Sequence, residues 1–142
     1  MDTGDERISR LLKDVGNSLK IAEDLTSLSL DEFLGDVRNR YTLRLALVEI
    51  VEAMTSLGLY ILRERLKTEA EGYIAVFRKL VENGVISKEV GDSVERLTRL
   101  RNLIIHRYWE VDDARVYREA REGGLNIIKR FVDEVRSYAS GS

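Results

Sequence analysis

Three side chains that could act on a phosphate group lie close together in the sequence, at Arg101, His106 and Tyr108. The imidazole of histidine has an ordinary pKa of about 6.5, so it can give or take a proton near neutral pH. Arginine stays charged and can bind a phosphate through two parallel hydrogen bonds. Asn102 and Arg107 lie between these residues and could hold a ligand that carries phosphates. The segment could therefore combine proton transfer with anion binding.

Metal and nucleotide-cofactor chemistry is not indicated by the rest of the sequence. The chain has one histidine and no cysteine, whereas protein-only transition-metal sites draw on several such residues. It also contains neither a P-loop nor a dinucleotide-binding glycine motif. We therefore expect no metal site and no cofactor.

Helical geometry directs Arg101 inward. At about 100° per residue, Arg101 and Tyr108 share the face of an apolar stripe formed by Val90, Val94, Leu97 and Ile104. A buried arginine needs acceptors, so a structural ion pair with Glu52 is one interpretation. His106 lies about 140° around the helix from Arg101. Either the last turn deforms or two subunits combine their residues.

The elements that carry these residues are predicted to be helices. The 142 residues include no proline, and hydrophobic residues make up 44% and recur at helical spacing. We expect one all-α domain over residues 5–138, an up-and-down bundle of five helices that includes one very long helix. The predicted helices lie near residues 4–25, 29–67, 68–83, 87–106 and 113–138, and Gly123-Gly124 predicts a kink or a close helix crossing in the last.

The long second helix carries two apolar seams, which predict two buried faces. One seam consists of Leu43, Leu47, Ile50, Met54, Leu57 and Ile61, and the other of Tyr41, Leu45, Val48, Leu59, Leu62 and Leu66. A helix at the surface of a monomer normally buries one stripe, so the second seam favours a homodimer. Glu52 and Thr55 interrupt the second seam, and Glu52 is expected to be paired.

Charge and composition limit the partners and the location. The formal net charge of −2 gives no overall attraction to nucleic acid, so contact with RNA requires a local patch. The segment from Arg96 to Arg107 offers one, with four arginines and no acidic residue. The absence of cysteine, of a signal peptide and of an apolar run long enough to span a membrane predicts a cytoplasmic protein with no membrane partner.

The spacing Arg101-x-x-x-x-His106-x-Tyr108 resembles the Arg-x4-His-x-Tyr signature of HepT-like toxins in the HEPN superfamily. The resemblance extends over residues 5–138 and includes Arg101-Asn102, the segment 77–87 and the segment 112–117. It differs at Ser56, where relatives often carry an acidic residue, so an acidic role falls to Glu52.

The resemblance implies a metal-independent endoribonuclease toxin of a type VII toxin–antitoxin pair, with Arg101 and His106 as catalytic residues. It implies a homodimer in which the motifs of both protomers line one cleft, with Asn102, Arg107 and Glu52 binding RNA or supporting the site. It also implies an MNT-type minimal nucleotidyltransferase antitoxin that silences the toxin by attaching AMP to Tyr108.

Two other functions remain compatible with the sequence. One is a non-catalytic helical module that binds a substrate or partner for a nucleotidyltransferase. The other is a helical scaffold in which the motif is an ion-paired part of the core. The scaffold predicts that Arg101→Ala unfolds the protein, whereas the nuclease predicts a folded, inactive variant.

Overall fold

The computed structural model describes residues 3–141, and within that range all regular secondary structure is helical. The all-α class is confirmed. The seven α-helices are α1 (Thr3–Thr26), α2 (Leu30–Leu34), α3 (Val37–Glu64), α4 (Tyr73–Glu82), α5 (Lys88–His106), α6 (Asp113–Glu119) and α7 (Leu125–Gly141). A 3₁₀ turn (Tyr108–Glu110) follows α5, and a π turn (Ala120–Gly124) joins α6 to α7.

Helix α3 lies at the centre of the fold and contacts α1, α4, α5 and α6. Its first predicted seam is buried along its whole length, with Leu43, Ile50, Met54, Leu57 and Ile61 at 0% exposure. Burying one such side chain stabilises the fold by roughly 1.5–3 kcal/mol. One hydrophobic cluster runs from Ile8 in α1 to Val135 in α7, so the other helices are held around α3 by a common core.

The expectation of five helices was wrong because two predicted helices are interrupted: the last is divided by the π turn into α6 and α7, and the long second helix breaks before α3. Gly35 ends α2 by donating its backbone N–H to the Asp31 carbonyl at 2.9 Å. Asp36 then adopts an extended conformation, and its carboxylate accepts from the Arg38 N–H at 2.9 Å, which caps a new helix. The polar side chain of Asp36 therefore starts α3, and the very long helix is 28 residues rather than nearly 40.

Two further boundaries depend on glycine. Helix α4 begins at Tyr73 and not near Thr68, because Gly72 has a φ of 92° and no side chain caps the helix there. Gly124 lies within the last predicted helix, and a Cβ at this position would lie 2.9 Å from the Glu119 carbonyl oxygen and 3.3 Å from Leu97 of α5. The predicted kink and close crossing at Gly123-Gly124 are thus present, and they coincide with the π turn.

The second predicted seam of α3 is buried only in part. Val48 and Leu62 are buried, whereas Tyr41 and Leu45 are 61% and 58% exposed. These two residues lie one helical turn apart on α3, so they form an apolar strip at its N-terminal half. Within a single protomer this strip is uncovered.

Helix α3 is long and apolar enough to cross a membrane by length and composition alone. Its most apolar window has a mean hydropathy of 1.8, and half of that window is buried inside the protein. Core helices pass the same test, and α3 is the helix around which the core is built.

Candidate active site

Helix α5 positions the motif. The Ser87 hydroxyl accepts from the Val90 N–H at 3.2 Å and caps the start of the helix, which stays α-helical to His106. Arg107 then leaves the helical conformation, with φ −139° and ψ 48°, and ends α5. The residues from 101 to 106 therefore follow regular helical geometry, and Arg101 and His106 point in different directions, about 7.5 Å apart along the axis.

Arg101 lies in a cluster formed by three helices. Its Nη2 forms an ion pair with the Glu52 carboxylate of α3 and donates to the Tyr73 hydroxyl of α4 at 3.2 Å. The Tyr73 hydroxyl lies 2.9 and 2.8 Å from the two Glu52 oxygens and donates to that carboxylate. Nη1 of Arg101 donates to the Asn102 side-chain oxygen at 3.0 Å. The expected pairing of Arg101 with Glu52 is therefore present.

The cluster holds the Arg101 guanidinium in one orientation. The Arg101 Cζ lies 4.5 Å from the centroid of the Tyr73 ring, a cation–π contact. Burial, followed by the hydrogen bond to Glu52, raises the pKa of Tyr73, so its hydroxyl stays a proton donor. The Arg101 side chain is only 13% exposed, whereas Glu52 is 43% exposed. Glu52 is thus paired but not buried, whereas most of the Arg101 side chain is shielded from solvent.

The other motif residues form a separate, exposed group at the end of α5. His106 is exposed, and among the described residues its imidazole has no hydrogen-bond or ion-pair partner. Arg107 is also exposed, and its Nη1 lies 3.1 Å from Glu110. Tyr108 is 64% exposed on the 3₁₀ turn. The structure therefore brings Arg101, Asn102 and Glu52 together, but it does not add His106, Arg107 and Tyr108 to that cluster within one protomer.

A buried ion pair that the sequence analysis missed holds the turn that carries Tyr108. Arg44 of α3 donates to both carboxylate oxygens of Asp113 at 2.7 and 2.8 Å, and these side chains are 15% and 9% exposed. Arg44 Nη1 also donates to the Tyr108 carbonyl at 3.3 Å. The hydrogen bonds to Asp113 raise the pKa of Arg44. Arg44 thus ties the 3₁₀ turn and the start of α6 to α3.

Removing this anchor should lower stability substantially. Arg44→Ala removes both short hydrogen bonds to the buried Asp113 and leaves only Arg40, whose Nη1 lies 4.0 Å from that carboxylate, so we expect the free energy of unfolding to fall by about 3 kcal/mol. The matched control is Arg38→Ala, because Arg38 also contacts an aspartate, Asp36, through two nitrogens but is 88% exposed. Urea unfolding followed by circular dichroism should show a large loss for Arg44→Ala and little for Arg38→Ala. Equal losses would contradict the anchoring role of Arg44.

The arginines of the predicted patch contact different neighbours. Arg101 points inward, and Arg99 lies 3.4 Å from Glu95, which also binds Arg78 at 2.7 Å. Arg107 is paired with Glu110. Within one protomer, these three arginines of the predicted patch are thus engaged by different neighbours.

An open groove on the other side of Glu52 is acidic. It lies between α1 and α3 and is lined by Leu11, Asp14, Asn17, Ser18, Glu49, Glu52, Ala53 and Ser56. Three of these residues are acidic, so the groove repels phosphates. Within the described range, no group of three or more histidine, aspartate or glutamate side chains is arranged to hold a metal ion.

The fold resembles those of several solved proteins. The tri-AMPylated HEPN toxin of Shewanella oneidensis, in complex with its MNT antitoxin, has a TM-score of 0.85 and 18% identity over 96% of this chain and 99% of that one. A toxin–antitoxin complex with AMP-PNP has a TM-score of 0.82 and 18% identity over 95% and 99% of the two chains. YutE of Bacillus subtilis, a cytosolic protein of unknown function, has a TM-score of 0.72 and 16% identity over 91% of this chain and 90% of that one.

At these identities the structural likeness shows a shared fold. None of the curated protein sequences matches this chain significantly. The sequence profile described as "Ribonuclease HepT-like" matches residues 15–135, which include the whole Arg101 cluster and the end of α5. Because this match spans most of the chain, the protein belongs to the HepT-like ribonuclease family.

Proposed function

We propose that this protein is a metal-independent endoribonuclease toxin. The observation that carries the proposal is His106, an exposed histidine without a partner among the described residues, placed at the end of α5 in a member of a ribonuclease family. An imidazole in this position is free to exchange protons with a bound strand. Action on cellular RNA would place the protein in the cytoplasm.

The chemistry we propose is attack by the ribose 2′-oxygen on the adjacent phosphorus. His106 takes the proton from the 2′-hydroxyl, the bond from phosphorus to the 5′-oxygen breaks, and that oxygen leaves as a hydroxyl after protonation by water or a second acid. Arg101 stabilises the negative charge that grows on the phosphate oxygens. Glu52 and Tyr73 hold the guanidinium in place. The products are a 2′,3′-cyclic phosphate and a 5′-hydroxyl.

We propose a homodimer because one protomer separates the two catalytic groups. Arg101 lies in its cluster with Glu52, whereas His106 projects from the helix end. The uncovered strip of Tyr41 and Leu45 continues the α3 face that carries Glu52. A second copy packed on this strip would bring its own His106 toward Arg101. The site then forms at the two-fold axis from residues of both protomers.

We propose that RNA reaches this site from the α5 side. Arg107 and Asn102 lie on that side and can contact phosphates or bases. The groove between α1 and α3, on the far side of Glu52, contains Asp14 and Glu49 and therefore disfavours a polyanion.

We further propose that an MNT-type nucleotidyltransferase partner silences the toxin through Tyr108. The hydroxyl of Tyr108 attacks the α-phosphorus of ATP, pyrophosphate leaves, and AMP stays attached to the tyrosine oxygen. Tyr108 is suited to this because it is 64% exposed while its backbone is held by Arg44. The S. oneidensis toxin of similar fold is itself AMPylated and bound to an MNT antitoxin.

The decisive experiment is incubation of the purified protein with total RNA in the presence of EDTA. We expect cleavage to proceed without divalent metal and to leave 2′,3′-cyclic phosphate ends, detected by end-specific ligation and sequencing. Heat-denatured protein and a mock purification from cells lacking the gene are the controls. Loss of cleavage on adding EDTA, or 3′-hydroxyl products, would contradict the proposed chemistry.

The alternative is a non-catalytic partner module for a nucleotidyltransferase. The contacts of Arg101 with Glu52, Tyr73 and Asn102 favour it, because a structural arginine shows the same contacts. This function predicts that Tyr108 is still modified by the partner but that the unmodified protein leaves RNA intact.

A further inference from the structure

Most aromatic residues of this protein are buried or half-buried, and three form an exposed cluster. Phe33, Phe77 and Phe131 are completely buried and Tyr117 is 3% exposed. Three aromatic residues depart from this pattern and are more than 60% exposed: Tyr41, Tyr108 and Trp109. Arg44 links this cluster, because its Cζ lies 5.5 Å from the Tyr41 ring and its Nη1 donates to the Tyr108 carbonyl.

Trp109 is the most exposed large hydrophobic side chain of the described residues, at 68%. Its ring lies 5.2 Å from the Tyr108 ring, and the two planes meet at 84°. The two rings therefore form a right-angled corner on the surface, in which one ring can stack on a planar group while the other contacts its edge.

The backbone beneath these rings is fixed although the rings themselves are exposed. The Glu110 N–H donates to the Arg107 carbonyl at 2.8 Å, and the Tyr108 carbonyl accepts from Arg44 at 3.3 Å. Arg44 is in turn bound to the buried Asp113. Because the backbone that carries the ring is already fixed, binding a ligand need not order this turn, which lowers the entropic cost of binding.

The position of Trp109 identifies the chemistry of that ligand. His106 and Arg107 precede it by three and two residues, so the ring lies beside a group able to exchange protons and a group able to bind phosphate. A planar π surface next to such groups suits a nucleotide, because every base has a π face that stacks on an aromatic side chain. The exposed His106 and Arg107 beside the ring favour a nucleotide over an apolar protein surface.

We propose that Trp109, with the Tyr108 ring beside it, is the stacking site for an unpaired base of the RNA strand, next to the phosphate that is cut. This inference rests on the proposed ribonuclease function. In a duplex both faces of a base are covered by its neighbours, so stacking on Trp109 requires a single-stranded or flipped base. The protein therefore cleaves single-stranded RNA in preference to duplex RNA. The adenine of an AMP attached to Tyr108 would compete for the same ring.

The single tryptophan of the chain makes the test direct, because all tryptophan fluorescence comes from Trp109. His106→Ala is titrated with a 2′-O-methyl oligonucleotide, which no ribonuclease of this type can cut, and with an abasic oligomer of equal length and charge. We expect quenching with the first and little with the second. Equal quenching by both, or none by either, would overturn the stacking site, as would quenching seen only with a nucleotidyltransferase protein.

Kinetics provide an independent measurement. Trp109→Ala should raise the KM for single-stranded RNA about 5- to 150-fold with little change in kcat, and Trp109→Phe should retain most of the affinity. Ile21→Ala, which removes an exposed apolar side chain from α1, is the matched control and should behave as the unmodified chain. Base-dependent quenching without any cleavage would keep the stacking site and reject the ribonuclease. Cleavage without base-dependent quenching would keep the ribonuclease and reject the stacking site.

Discussion

A heterodimer of Arg101→Ala and His106→Ala should recover RNA cleavage that neither homodimer can perform. In a site made from Arg101 of one protomer and His106 of the other, this heterodimer contains one site with both residues intact and one with neither. We expect about half the activity of the unmodified dimer. Each variant homodimer should lose activity by about 10²–10⁴-fold, the usual contribution of one acid–base group or one charge-stabilising group.

The experiment uses two affinity tags, so that only heterodimers are collected, and sedimentation confirms that they are dimers. Circular dichroism checks the fold of Arg101→Ala. We expect it to remain folded because its partner Glu52 is 43% exposed and can be hydrated once the arginine is gone. Unfolding of this variant would instead support the helical scaffold.

A heterodimer of the unmodified chain with His106→Ala is the matched control. It should keep about half the activity if one histidine is enough for each cut, and it should be inactive if each cut needs the histidines of both protomers. If the control keeps half the activity and the heterodimer of the two variants has none, Arg101 and His106 of the same chain act together. That result would reject the composite site.

Much of the motif could be predicted because it lies on one regular helix. The stripe of Val90, Val94, Leu97 and Ile104 is buried as its spacing predicts, and this stripe directs Arg101 inward. Glu52 could be identified as a partner because an acidic residue in an apolar seam needs a cation nearby. Both inferences rest on the fixed geometry of the α-helix.

The residues that were missed depend on how helices lie against one another. Arg44 and Asp113 are 69 positions apart, and nothing local in the sequence joins them. Tyr73 lies in the helix predicted near 68–83, but its role was missed because its hydroxyl meets Glu52 through the packing of α4 on α3. The break before α3 was missed for a different reason. Gly35 ends one helix and Asp36 starts the next through a single side-chain hydrogen bond, and no change in hydrophobic pattern accompanies the break.

Attachment of AMP to Tyr108 should abolish cleavage. Incubation with a cognate nucleotidyltransferase, ATP and magnesium should raise the mass of this chain by one or more AMP units and stop RNA cleavage. The added group occupies the surface next to His106 and places a phosphate where the strand's own phosphate should bind. Tyr108→Phe should gain no mass, and under the same treatment it should keep whatever nuclease activity it has.

Exposure explains why Tyr108 and not another tyrosine should be modified. Tyr117 is buried, and its hydroxyl donates to the Leu28 carbonyl at 2.6 Å, so it cannot reach a nucleotide in another protein. Tyr41 is the matched control: it is 61% exposed, close to the value for Tyr108, but it lies on the α3 strip that we assign to the dimer. Tyr41→Phe should therefore still be modified and silenced.

Peptide mapping that found AMP only on Tyr41, Tyr117 or Tyr138 would reject Tyr108 as the switch. Modification of Tyr108 in a chain that never cut RNA would identify the protein as a partner module.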